Sequence, residues 1–181
     1  MVKYVAFLRA INVGGSKVIK MEILRQIFES LGFANVRTYI QSGNVIFDAR
    51  QKNVSSLTTK IEKELERSTG HKVEVMLTTF AELQSMVKLD PFKRVEAGPD
   101  VMLFVTFLSS EPSLMPKLPI NYDKENLQVL ALRDRAAFIV AKRKQNGMFG
   151  FPNNFLEKQF GSVGTTRNWT TVKKIVDFVE R

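Results

Sequence analysis

Three short stretches carry the side chains that suit a charged ligand. The first is Leu8-Arg9-Ala10-Ile11-Asn12-Val13-Gly14-Gly15, where an apolar run from Tyr4 to Leu8 stops at Arg9. Glycines let backbone N–H groups come close to an anion, and Arg9, Asn12, Ser16 and Lys17 supply further donors. The stretch matches neither the P-loop pattern nor G-x-G-x-x-G, and the plainer reading of Gly14-Gly15 is a turn with positive φ. The second stretch is Gln41-Ser42-Gly43-Asn44, which taken alone is a tight turn. The third is Thr165-Thr166-Arg167-Asn168-Trp169. Thr165 or Thr166 reads as a helix N-cap, which puts Arg167 in the first helical turn. The helix dipole disfavours a cation there by a few tenths of a kcal/mol to ~1 kcal/mol. A bound anion or a carboxylate from elsewhere in the chain would offset that cost. The candidate ligand-binding residues are therefore Arg9, Asn12, Gly14, Gly15, Ser42, Asn44, Thr166, Arg167 and Asn168, expected to meet in one cleft. Trp169 is expected in the core.

Support for catalysis and for metals is thin. The single histidine, His71, follows Gly70 in a turn, and there is no cysteine or second histidine to join it, so no zinc site and no metal is expected. No nucleophile motif such as G-x-S-x-G is present, and no catalytic residue is assigned. An enzyme built on this chain would work by electrostatic stabilisation from Arg, Asn and Ser/Thr. No cofactor is implied. Lys142-Arg143-Lys144, followed by Met148-Phe149-Gly150-Phe151, gives a weak candidate for nucleic-acid contact. A solvated charge run in a loop is the plainer reading.

The whole composition points to the same kind of partner. The 181 residues carry 27 Lys and Arg against 18 Asp and Glu, a formal charge of +9. That balance favours an anionic small molecule or nucleic acid. The absence of cysteine fits a reducing, cytoplasmic compartment. The N-terminal apolar run is too short for a signal peptide, and no apolar run reaches the ~18 residues of a membrane span.

The elements that must hold these stretches follow from periodicity. Val2–Leu8 is apolar on both faces, which marks a central strand covered on both sides, with Arg9 on the Val5–Phe7 side. Met21–Leu31 reads as a helix ending at Gly32, and Val36–Ile40 with Val45–Phe47 as a hairpin. Val54–Ser68 is a helix closed by Gly70, and Val73–Leu77 a short strand. The order is βαββαβ, a ferredoxin-like plait. Thr78 or Thr79 caps a helix through Val87. Residues 89–100 read as a linker. Residues 101–181 look like a degenerate second plait, its last strand missing or displaced. It comprises Val101–Leu108, a proline-rich stretch with at most a short helix, and a hairpin of Leu127–Leu132 and Ala136–Lys142. A helix capped by Asn153 or Asn154 and a final helix from about Arg167 to Val179 complete it. The fold class is thus α+β: two ferredoxin-like plaits, residues 1–88 and 101–181, plus the C-terminal helix. That helix, or the second half, is the candidate to cover the open sheet face of the first plait.

Taken together, the motifs resemble a bacterial family, domain of unknown function 1697. The resemblance rests on Leu8–Gly15, on Arg37-Thr38-Tyr39-Ile40-Gln41-Ser42-Gly43-Asn44-Val45, and on Glu157-Lys158 with Gly161 ahead of Thr165–Trp169. It spans nearly the whole chain and implies paired ferredoxin-like units. The family usually has glycine where this chain has Ala10, and proline near Lys20. Ala10 restricts the backbone to negative φ, so a close ligand approach is not expected there. The family carries no established activity. Three readings follow: a binding module for a phosphate-bearing anion or nucleic acid, an enzyme on a small phosphorylated or carboxylated substrate, and a protein-interaction module. Oligomeric state is not readable.

Overall fold

Strand β1 (Val2–Leu8) organises the first half, and its alternation explains why. Tyr4, Ala6 and Leu8 point to one side and are at most 1% exposed; Val5 and Phe7, on the other, are 0% exposed. The computed structural model describes residues 1–15, 18–112 and 116–181. Among them are two antiparallel sheets and five α-helices, an α+β architecture. The chain divides into two compact units, Met1–Gln84 and Ser85–Arg181.

In the first unit β1 is followed by α1 (Met21–Ser30), β2 (Ala34–Tyr39), β3 (Asn44–Ala49), α2 (Val54–Thr69) and β4 (Val75–Thr79). The sheet order is β2-β3-β1-β4. The Tyr4 side packs with Val45 and Phe47 against Leu24, Ile27 and Phe28 of α1 and Leu57, Ile61 and Leu65 of α2. Those helical residues recur at three- and four-residue spacing, so one stripe faces the sheet. Phe47 anchors the layer, its ring 4.5 Å from Phe33, 5.3 Å from Phe28 and 5.7 Å from Tyr4. Burying one such side chain contributes about 1.5–3 kcal/mol. Asn53 caps α2 by accepting from Ser56 N–H, and Gly70 ends it at φ 72°.

Helix α3 (Phe80–Leu89) opens with a reciprocal cap. The Glu82 carboxylate accepts from Thr79 N–H at 2.8 Å, and Glu82 N–H donates to Thr79 Oγ1 at 3.2 Å. The boundary between the units falls inside this helix. In the expected linker, Phe92 is 4% exposed and meets Trp169 and Phe138 edge-on at 5.4 and 5.8 Å.

The second sheet comprises β5 (Val101–Leu108), β6 (Ile120–Tyr122), β7 (Leu127–Arg133), β8 (Ala136–Lys142) and β9 (Gly164–Asn168). Their order is β6-β7-β8-β5-β9. Helices α4 (Asn153–Phe160) and α5 (Trp169–Glu180) flank β9 in sequence. Leu156 and Phe160 of α4 cover one sheet face with Phe104, Leu108 and Ile139. Trp169 of α5 covers the other, 5.9 Å from Phe138.

Three expectations are corrected here. The last strand of the second half is not missing: it is β9, on the residues that read as a helix cap. The final helix begins at Trp169, two residues later than expected, and its cap is Asn168, whose side-chain Oδ1 accepts from Thr170 N–H at 3.0 Å. Asn153 and Asn154 lie inside α4 rather than capping it; Pro152 precedes it. Residues 113–115, within the stretch expected to hold at most a short helix, lie outside the described residues.

Candidate functional site

Two of the three stretches meet in the first unit. β1 leaves the core at Arg9, whose N–H donates to the Glu74 carbonyl at 2.9 Å. Its guanidinium pairs with the Glu74 carboxylate at 3.4 Å, with the arginine side chain 23% exposed. The chain then turns through left-handed residues: Ala10 at φ 51°, Asn12 at 56°, Gly14 at 61° and Gly15 at 76°. Ala10 therefore does not hold φ negative as its Cβ suggests. It occupies the conformation that glycine adopts without cost.

The Asn12 side chain pins this loop. Its Nδ2 donates to the carbonyls of Ile19 at 3.0 Å and Gln41 at 2.9 Å, and its Oδ1 accepts from Ile19 N–H at 2.8 Å. The amide joins loop, turn and the approach to α1. Leu8 N–H completes the seam by donating to the Gly43 carbonyl at 2.8 Å. Asn44 is 0% exposed; its amide donates to the Tyr39 carbonyl at 3.0 Å and to Ser42 Oγ at 2.9 Å. Gly14 and Gly15 stand at the exposed tip, with nothing within 4 Å of an added Cβ. Ser16 and Lys17 lie outside the described residues.

The third stretch belongs to the second unit. Thr165, Thr166 and Arg167 lie on β9, paired with Phe107, Thr106 and Val105 of β5. Alternation sends Thr166 to the α4 side and Arg167 to the Trp169 side. Thr166 Oγ1 lies 2.6 Å from Thr106 Oγ1 and donates to Asn153 Oδ1 in a very short hydrogen bond. Arg167 is 8% exposed. Its Nη1 donates to Thr165 Oγ1 at 2.8 Å and to the Thr166 carbonyl at 3.0 Å. Burial lowers its pKa to about 10, because desolvation disfavours the charged form. The expected place in the first helical turn is thus replaced by a buried strand position, one residue ahead of the α5 cap.

The basic run divides by partner. Arg143 holds Asp100 at 2.8 Å and donates to the carbonyls of Gly147 at 2.9 Å and Pro99 at 2.8 Å. Its guanidinium also sits 4.8 Å from the Phe149 ring centre. Lys144 pairs with Glu125 at 2.7 Å. Lys142 ends β8, exposed and without an ion pair to any described residue.

Sequence reading missed Glu74 and Thr106, and took Asn153 for a cap rather than the partner of Thr166. Leu8 pairs with Val75 across β1 and β4, which brings Glu74 opposite Arg9. That register joins residues far apart in the chain and leaves no local signal. Among the described residues no group of three or more His, Cys, Asp or Glu is arranged to hold a metal ion. No helix among them is long and apolar enough to cross a membrane.

A search of curated proteins gave no match. Among solved structures, the chain is similar to a conserved bacterial protein, SP0830 from Streptococcus pneumoniae. Identity is 20%, 97% of each chain is covered, and the TM-score is 0.68, a likeness of fold. The family described as "Protein of unknown function (DUF1697)" matches residues 1–138. That stretch holds the Arg9 and Ser42 motifs and ends before Thr165, short of the near-complete span that the motifs suggested. With 138 of its 181 residues matched, the chain belongs to the DUF1697 family of proteins of unknown function.

Proposed function

We propose that this protein binds a small phosphate-bearing anion at Arg167 of β9 in the second unit, with the Arg9–Gly15 loop and the Gln41–Asn44 turn of the first unit as a separate candidate site. The observation that carries the reading is Arg167, a guanidinium only 8% exposed and anchored through Thr165 and the Thr166 carbonyl. A cation in low-dielectric surroundings attracts an anion far more strongly than one in water. Burial lowers the Arg167 pKa to about 10, and a bound anion would raise it again. The exposed Gly14–Gly15 backbone beside Arg9, and the +9 formal charge, support the same ligand class. With Asn12 and Asn44 engaged inside the protein, their part is to hold the loop and turn in shape. We read both units as ferredoxin-like plaits, the first from its βαββαβ order and the second from the matching order β7-β8-β5-β9. The absence of cysteine supports a cytoplasmic setting.

Denaturant melts with and without inorganic phosphate test the reading, on wild type and Arg167→Met. Methionine keeps apolar volume where alanine would leave a cavity. A ligand at 100 times its Kd stabilises the wild type by about 2.7 kcal/mol. Arg167→Met is expected to remove that gain. Equal gains in both proteins would take Arg167 out of the site, and no gain from phosphate in wild type would end the reading.

A further inference from the structure

The sheet face that carries Arg167 and Phe138 continues past Trp169 to an open end within the second unit. Along β8 the residues on this face go from Phe138 at 0% exposure to Val140 at 6% and then to exposed Lys142. A hollow of 580 Å³ lies here, bounded by the chain around Arg94–Val101 and floored by Leu130 and Val140. A second hollow, of 460 Å³, is lined by Asn121, Asp123 and Asn126. The two share Gln128, Val140 and Lys142, so they form one trough with an apolar end, an amide-rich end and a lysine between. Small-molecule sites have this character and size.

The charges in the trough are not all spent. Asp100 is taken by Arg143. Lys142 and Asp123 form no side-chain hydrogen bond or ion pair with any described residue, and Arg94 and Glu96 stand at the rim of the apolar end. Gln128 donates to Asn121 Oδ1 at 2.8 Å, which orients both amides and leaves the Asn121 nitrogen and the Gln128 oxygen for a ligand. Along the trough the Lys142 cation, the Asp123 anion and the apolar floor of Leu130 and Val140 are groups of the three kinds that one α-carbon of an amino acid would engage.

We propose that this trough binds a free amino acid with an apolar side chain. Its carboxylate would meet Lys142, its ammonium group Asp123, and its side chain would lie over Leu130 and Val140. The site is independent of the phosphate reading, since it uses neither Arg9 nor Arg167.

The test is an NMR titration of the full chain with L-phenylalanine, 3-phenylpropionate and phenethylamine, which share the apolar body and differ in charge. L-phenylalanine is expected to shift the amides of residues 94–101, 128–130 and 140–142. Each analogue is expected to bind about tenfold more weakly, the effect of ~1.4 kcal/mol per lost contact. Lys142→Gln should weaken L-phenylalanine and 3-phenylpropionate but not phenethylamine, and Asp123→Asn should weaken L-phenylalanine and phenethylamine but not 3-phenylpropionate. Both residues are exposed, so the variants should keep the fold. Absence of shifts at millimolar L-phenylalanine, shifts mapping elsewhere, or three probes of equal affinity would each overturn the proposal.

Discussion

The Asn12 amide donates to the Gln41 carbonyl at 2.9 Å, and this contact across 29 residues fixes the glycine loop to the β2–β3 turn. The same nitrogen reaches the Ile19 carbonyl, so two main-chain acceptors depend on it. Asn12→Asp keeps the acceptor for Ile19 N–H and removes both donations. The expected loss is about 1–3 kcal/mol, the cost of leaving such groups without partners. A denaturant melt that places the variant within 0.5 kcal/mol of wild type, as for an ordinary surface change, would make the seam decorative.

Ala10 at φ 51° and Ile40 at φ 49° sit in the left-handed region. An L-residue there costs roughly 1–2 kcal/mol, and a β-branched one is a true outlier. Ala10→Gly removes that strain and adds about 0.5–1 kcal/mol of unfolded-state entropy. A net gain of up to ~1 kcal/mol is expected, or roughly 2–4 °C in Tm. Ile40→Asn should gain by a similar amount, since Ile40 is 51% exposed and loses little burial. A Tm that falls in both variants would show that the loop is not strained.

Gly43 and Gly14 separate two reasons for glycine. At Gly43, φ is 73° and an added Cβ would lie 2.7 Å from Ile11 Cδ1 and 2.9 Å from Leu8 Cβ. At Gly14, φ is 61° and the space is open. Gly14→Ala should cost only the ~1–2 kcal/mol of backbone strain. Gly43→Ala should cost a further ~1–3 kcal/mol from overpacking. Equal losses in paired melts would mean that Leu8 and Ile11 yield freely.

Burial raises the Glu62 pKa, and neighbouring Glu74 adds to the rise. The folded state therefore holds this proton more tightly than the unfolded chain. Stability from Glu62 is present at low pH and is lost as pH rises through its unfolded and then its folded pKa. Glu62→Gln keeps an oxygen to accept from Val75 N–H, the bond seen at 2.9 Å. The variant should match wild type at low pH and exceed it above the carboxylate range. A gap that instead opens as pH falls would reverse the sign and refute the argument.

Duplex DNA offers a check on the basic run. Arg143 and Lys144 are held by Asp100 and Glu125, which leaves Lys142 as the residue of the three without an ion pair to a described residue. Electrostatic binding should weaken steeply with salt, and Lys142→Gln should reduce the log–log slope by about 0.9. A flat salt response in wild type would remove the nucleic-acid reading.

Much of the architecture is legible in local pattern, and the reason is periodicity. Leu57, Ile61 and Leu65 recur every four residues, and Gly70 follows, so α2 and its end can be read without the fold. Tyr4 to Leu8 is apolar on both faces, and both faces are buried. Trp169 begins an amphipathic run, and it is core. What local pattern could not reveal is β9. Gly164-Thr165-Thr166-Arg167-Asn168 has no apolar alternation, and its polar residues sit just ahead of a helix, where caps belong. It is a strand because β5 offers it an edge some sixty residues away in the chain, and that pairing turns Arg167 from a first-turn residue of a helix into a buried strand residue. The left-handed Ala10 has the same origin. Its own Cβ opposes φ 51°, and the surrounding bonds from Leu8, Arg9 and Asn12 to Gly43, Glu74 and Gln41 hold the loop there. Propensity and periodicity act within a few residues, while strand pairing and loop closure draw their free energy from partners that only the folded chain brings near.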